Sequence, residues 1–176
     1  MLSSDEFFLY LYGSTRCPYC KVLSEFFGKS FPGNSYFCKI DEDRSCREAL
    51  NFLNSYLESK GVPENVTGYI PLTVVVVEGR YVAAIVIGAV TDAAFWRDLA
   101  KAAPREEIPV MLGRDRVYEV QLTYEEQAQL VSNYVRLPEA TATKPGLHQL
   151  EPQVLVALAL VVAGVALVAY SLVRRR

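Results

Sequence analysis

The sequence predicts an α/β domain with a four-stranded mixed sheet and helices on both faces, extended by a small hairpin–helix appendage and a single transmembrane helix. Three stretches lead to that expectation. Phe7 to Tyr12 is an unbroken apolar and aromatic run that stops at Gly13, and Cys17-Pro18-Tyr19-Cys20 opens an apolar-periodic segment just beyond it. Leu72 to Val77 and Tyr81 to Ile87 are two β-branched runs joined through Glu78-Gly79-Arg80. Val154 to Val173 carries no charged residue and is almost wholly Val, Leu and Ala. The first pattern is a strand passing into a helix, the second a hairpin, and the third an apolar stretch of bilayer length.

Taken in order, the aromatic content of Phe7 to Tyr12 favours a buried strand over a helix. Pro18 suits a first helical turn, where its missing N–H would have had no partner. A helix is expected from about Cys17 to Phe27, burying Leu23, Phe26 and Phe27, with Gly28 and Phe31-Pro32-Gly33-Asn34 ending it. Ser35 to Asp41 alternates weakly and reads as a second strand, parallel to the first by the crossover rule. Asp41-Glu42-Asp43 leads into a helix from about Arg44 to Lys60, with Leu50, Leu53 and Leu57 on one face and Gly61 as its cap. A turn-rich loop, Val62 to Ile70, delivers Pro71. Leu72 to Val77 lacks polar alternation beyond Thr73, the pattern of a central strand covered on both faces. After the hairpin, Thr91 or Asp92 caps a third helix that turns Phe95, Leu99 and Ala102 inward.

Residues 1–103 thus form the main domain, and residues 104–136 an appendage. In the appendage, Ile108 to Leu112 and Val117 to Leu122 flank Gly113-Arg114-Asp115-Arg116 as a second hairpin. Thr123 and Glu126 make a capping box for a helix from Tyr124 to about Arg136. Covering an edge of the sheet is its expected role. Residues 137–152, with Pro138, Pro145, Gly146 and the single histidine His148, read as a semi-flexible tether. Residues 153–173, about 20 residues at about 1.5 Å each, match a hydrocarbon core of about 30 Å, so the lipid bilayer is an expected partner through Val154 to Val173. Arg174, Arg175 and Arg176 form a basic tail, residues 174–176.

The 176-residue chain has a net charge of −2, or −5 once those three arginines are set aside. An acidic soluble portion argues against nucleic acid as a partner. The terminal arginines, by the positive-inside rule, would hold the C-terminus in the cytoplasm. Against this, Asp5 and Glu6 stand where a secretory signal would carry basic residues. Three arginines can also stay at the headgroups by snorkelling, whereas the other orientation exports about 150 residues tail-first. A single-pass protein with its domain facing the cytoplasm is the expectation.

The chemistry sits in the two closely spaced cysteines. Cys17 falls at a helix N-terminus, where unpaired N–H groups and the positive end of the dipole favour a thiolate, and Arg16 adds to this. Cys17 can attack a disulfide, and Cys20, one turn on, can resolve the product. A zinc site would need a second ligand pair, and the sequence holds none. Tyr19, between the two cysteines, is expected to be exposed and to touch the substrate. Cys38 is expected buried and inert and Cys46 a half-exposed thiol; a disulfide between them would need geometry that sequence does not supply.

These residues resemble a dithiol glutaredoxin of the thioredoxin-fold superfamily: strand, Cys-Pro-Tyr-Cys and helix near the start of a short chain. The similarity continues from Gly68-Tyr69-Ile70-Pro71 through the hairpin to Gly88-Ala89-Val90, like the family's cis-proline, strand, tight turn, last strand and Gly-Ala. It covers roughly the first 103 residues. The resemblance implies a thioredoxin-like fold in which Pro71 is the cis-proline that faces the dithiol. Arg16, Tyr19, Ile70 and Pro71 then border the substrate, and an extended segment pairs beside Pro71 as an added strand. Two departures matter. Ile70 and Gly88-Ala89 stand where glutaredoxins usually carry a valine and Gly-Gly that help hold glutathione. Leu11 stands where thioredoxins carry a buried aspartate.

No cofactor is implied. Glutathione is open as a co-substrate beside protein disulfides, with Asp92 available to its amino group. The expected activity is that of a membrane-anchored thiol–disulfide oxidoreductase. Two other readings accompany it: a membrane-tethered binding module that keeps the fold, and an iron–sulfur carrier, for which Pro18 is unfavourable.

Overall fold

A computed structural model of the chain describes residues 7–135. The tether, Val154 to Val173 and the terminal arginines lie outside the described residues. Among the described residues, no helix is long and apolar enough to cross a membrane. The elements run β1 (Phe7–Gly13), α1 (Pro18–Ser30), β2 (Ser35–Lys39), α2 (Arg44–Ser59), α3 (Glu64–Thr67), β3 (Leu72–Val77), β4 (Tyr81–Ile87), α4 (Ala93–Ala100), β5 (Glu107–Leu112), β6 (Asp115–Gln121) and α5 (Tyr124–Tyr134). They make a mixed α/β structure around one sheet, ordered β2-β1-β3-β4-β5-β6. β1 with β2 and β4 with β5 are parallel, and the other pairs antiparallel.

The period-two alternation of the strands sorts their side chains between two cores. Leu9 and Leu11 of β1 pack with Leu23 and Phe27 of α1 and Trp96 of α4. Phe8, Tyr10 and Tyr12 point the other way, toward Leu50, Leu53 and Leu57 of α2. All six residues of β3 are buried, as a strand covered on both faces requires. Glu78 and Gly79, in the three-residue connection to β4, have φ of 52° and 68°, the left-handed pair at the centre of a tight turn closed by the Arg80 N–H on the Val77 carbonyl at 3.3 Å.

The sheet has six strands, not the four expected. Residues 104–121 do not stand apart from it: β5 pairs with β4 through Ile85↔Val110 and Ile87↔Leu112, and β6 follows on its outer side. α4 therefore serves as the crossover of a parallel β–α–β unit, and the edge of β4 is covered by added strands. α5 then packs on the α2 face through Leu130 and Val131. Gln127, fully buried, fastens it: its Oε1 accepts from the Val82 N–H at 3.0 Å, and its Nε2 donates to the carbonyls of Arg105 and Leu122 at 2.8 and 2.9 Å. Glu126 closes the capping box and also accepts from Lys60 Nζ at 2.7 Å and Tyr56 Oη at 3.0 Å. The Lys60 bond, ahead of the Thr123 N–H, brings its carboxyl down to about 2.

Other local expectations shift for packing reasons. α1 runs through Gly28 to Ser30, and its cap is Phe31, which is buried edge-on against Phe27. The inward residue of α4 is Trp96, whose Nε1 donates to the Val90 carbonyl at 2.8 Å; Phe95 and Leu99 are only partly buried. A short helix, α3, occupies part of the loop expected before Pro71.

Cys38 and Cys46 form a disulfide, which corrects the expectation of two separate thiols. α2 covers the same face of β2 that Cys38 occupies, bringing the two Cα atoms to 5.5 Å and burying both residues. Tyr10 donates its hydroxyl hydrogen to Cys38 Sγ at 3.1 Å.

Candidate functional site

The site is built at the end of the sheet where β1 finishes and β3 begins. β1 stops at Gly13, Ser14 to Arg16 turn the chain, and Cys17 is the N-cap of α1 in extended conformation with Pro18 at the first helical position. The Cys17 sulfur accepts the backbone N–H of Cys20 at 3.2 Å, as a capping oxygen would. Both cysteines are free thiols; Cys17 is half-exposed and Cys20 fully buried. Burial first, and then the hydrogen bond with Cys17, push the Cys20 thiol up to about 12. The two sulfurs, three residues apart, therefore differ in access, and burial holds the Cys20 thiol protonated.

β2 holds this turn from the side. Gly13 pairs with Lys39, and the Ile40 N–H donates to the Gly13 carbonyl at 2.9 Å, so the next residue, Asp41, arrives alongside Ser14 and Thr15. Its carboxylate accepts from Thr15 Oγ1 at 2.7 Å, Ser14 Oγ at 2.9 Å and the Thr15 N–H at 3.0 Å, with Arg16 Nε 3.8 Å away. The Thr15 hydroxyl, ahead of the Thr15 N–H, holds the Asp41 carboxyl well below the usual carboxylate range. Asp41, Ser14 and Thr15 belong to no motif in the sequence that marks them as site residues. Their only signal is a parallel β1–β2 register, which places an acid two residues past Lys39 beside the Ser14-Thr15 pair that directly follows Gly13.

Across β1 on the other side, the Ile70–Pro71 peptide bond is cis. The β1–β3 register ends at Tyr12↔Leu72, so Pro71 lies next to Gly13, and its carbonyl accepts the Gly88 N–H at 2.8 Å. Ile70 is half-buried against the α2-side core, whereas Tyr19 and Tyr69 stand 69% and 59% exposed. Arg16, Cys17, Tyr19 and Cys20 thus come from one segment, and strand pairing brings Ile70 and Pro71 to the same end of the sheet. Arg16 is exposed beyond its contact with Asp41.

Asp92 is occupied within the chain. Its carboxylate accepts from the Ala94 N–H at 2.9 Å, capping α4, and pairs with Arg114 Nη2 of the β5–β6 turn at 2.7 Å. The Ala94 bond is the first cause of its lowered pKa. Among the described residues, no cluster of three or more His, Cys, Asp or Glu side chains is arranged to hold a metal ion.

Chemically, a half-exposed sulfur that accepts a helix N-terminal N–H, backed by a buried thiol three residues on, can form a bond to an external sulfur and then release it by closing on its neighbour. In comparison with known proteins, no family model, no curated protein and no solved structure matches the chain.

Proposed function

We propose that the chain is a thiol–disulfide oxidoreductase of thioredoxin-like fold, anchored in a membrane through Val154 to Val173, that exchanges two electrons between Cys17/Cys20 and disulfides of other proteins. The observation that carries this reading is the asymmetry of the pair: Cys17 is half-exposed and receives the Cys20 N–H, while Cys20 is buried with its thiol pushed up to about 12. The order strand, dithiol, helix, parallel strand, and then a cis-proline before an antiparallel hairpin, supports the fold assignment.

In the reducing direction, the Cys17 thiolate attacks one sulfur of the substrate disulfide. The Cys17–substrate bond forms, and the other substrate sulfur leaves as a thiolate and takes up a proton. Cys20 then gives up its proton and attacks Cys17 Sγ, closing the Cys17–Cys20 disulfide and releasing the second substrate thiol. The substrate gains two electrons and two protons, which the dithiol loses. The reverse sequence oxidises a substrate dithiol. The engagement of Asp92 with Arg114 and its own helix supports protein disulfides over glutathione as substrate.

The test is trapping with Cys20→Ser. A mixed disulfide at Cys17, released by dithiothreitol, is expected, together with insulin reduction by the wild-type chain. Absence of both would sink the reading. The domain faces the cytoplasm in this proposal, and labelling of Cys17 in intact cells by a membrane-impermeant maleimide would overturn that part.

A further inference from the structure

We infer that Asp41 is the positioning residue of the dithiol turn, and that the Cys38–Cys46 disulfide serves the site by holding Asp41 in place. This deepens the oxidoreductase reading and rests on Cys17 being the reacting sulfur.

Besides helix and sheet pairing, the backbone of the turn from Ser14 to Arg16 is held locally, by the Cys17 N–H on the Ser14 carbonyl at 3.2 Å and by a hydrogen bond from the Ser14 backbone to the Cys20 thiol. The Asp41 carboxylate supplies the long-range contacts, reaching both Ser14 and Thr15, while Ser14 Oγ passes the connection on to the Arg16 N–H at 3.1 Å. Cys17 follows directly. A shift of the turn would move the attacking sulfur relative to an incoming disulfide, and misplacement by about 1 Å can cost a reaction about a hundredfold.

Asp41 itself sits in a short span whose two ends are covalently joined. Cys38 and Cys46 are eight residues apart, one on β2 opposite Tyr12 and the other in the first turn of α2. Within the span, Asp43 caps α2 by accepting the Ser45 N–H at 2.8 Å, and Arg47, just beyond it, donates from Nε to the Ile40 carbonyl at 2.9 Å. Both anchors of the span are thereby tied to each other, and Asp41 projects from between them.

The disulfide has no direct route to the dithiol. Cys38 lies with Tyr10 and Tyr12 on the α2 face of the sheet, whereas Leu11, Phe37 and α1 occupy the opposite face. With the sheet between them, and Cys38 and Cys46 only 2% and 1% exposed, the two sulfur pairs do not exchange with one another. The influence of the disulfide on Cys17 is mechanical and passes through Asp41.

The experiment uses the full chain and reads three quantities: insulin reduction rate, the rate of iodoacetamide reaction at Cys17 in a Cys20→Ser background, and Tm. Asp41→Ala is expected to lower both rates about tenfold. Asp41→Asn, which keeps an oxygen acceptor for Thr15 and offers an amide donor to Ser14, is expected to restore most of that loss. Cys38→Ala/Cys46→Ala is expected to lower both rates by a smaller factor, and to add nothing when combined with Asp41→Ala, because the two changes act through one contact. Cys38→Val/Cys46→Ala, which refills the sulfur volume, takes its place if the double alanine variant does not fold. Wild-type rates in Asp41→Ala, an Asn variant no better than Ala at equal Tm, or losses that multiply independently would each overturn the inference. A wild-type chain without insulin reduction would sink the oxidoreductase reading instead, and the Cys17 alkylation rates would still decide the role of Asp41.

Discussion

Gly13 and Cys20 are in contact across the end of β1: a Cβ on Gly13 would stand 2.8 Å from the Cys20 sulfur and 3.0 Å from its Cβ, with Phe37 Cε2 at 3.1 Å. Real Cβ atoms do not approach that closely. The strand that carries the site therefore ends in glycine because the buried thiol fills the space a side chain would take.

Gly13→Ala is expected to push the Cys20 sulfur away from Cys17 and to cost about 1–3 kcal/mol through overpacking. In the proposed reaction the first exchange step should then proceed while the second slows, so the Cys17 mixed disulfide should accumulate in acid-quenched reactions analysed by mass. A variant with wild-type Tm and no such accumulation would show that the contact is without consequence.

The reduced protein should lose stability in alkali. Burial, and secondly the Cys17 hydrogen bond, raise the Cys20 thiol from 9.0 to about 12. Above about pH 9 the unfolded chain gives up this proton while the folded chain keeps it. The unfolded state then binds fewer protons, so stability falls as pH rises between those two values, at up to about 1.4 kcal/mol per pH unit. Urea unfolding of the reduced chain across that range should show the slope, and Cys20→Ala should flatten it. Equal slopes in the two proteins would refute the assignment to Cys20.

Thr73 is fully buried in β3, and its hydroxyl has no hydrogen-bond partner among the described residues. Its neighbours along the strand are Leu72 and Val74, and burying an unpaired hydroxyl there is costly. Thr73→Val, nearly the same shape, should stabilise the protein by about 1 kcal/mol and raise Tm. A lower Tm would mean that the hydroxyl is satisfied in solution.

Gln127 supplies buried hydrogen bonds that help fasten α5 to β4 and to the hairpin's flanks. Gln127→Leu keeps most of the volume but leaves the Val82 N–H and two carbonyls without their partner, an expected loss of about 2–4 kcal/mol. Amide exchange should quicken in α5 and at Val82 before it does in β1 or β3. Uniform exchange rates across the sheet would contradict this.

Much of the site is legible in the sequence because its signals are local. A strand that stops at Gly13, a proline at the first helical position and two cysteines three residues apart specify Cys17 at the helix start and Cys20 within its first turn. Spacings of this size are fixed by helix geometry and need no knowledge of the rest of the chain. The Glu78-Gly79 turn and the Thr123–Glu126 capping box were readable for the same reason.

What only the tertiary structure decided is which strands are neighbours and which face each one presents. The apolar run Ile108 to Leu112 is equally compatible with a separate hairpin and with pairing on β4. The free edge of β4, a property of the assembled sheet, selected the second. Cys38 and Cys46 pair because α2 lies on the face of β2 that Cys38 occupies, and Asp41 reaches Thr15 because β1 and β2 are in one parallel register. Such contacts join residues distant along the chain through strand order and register, whereas sequence patterns report only the periodicity within each element.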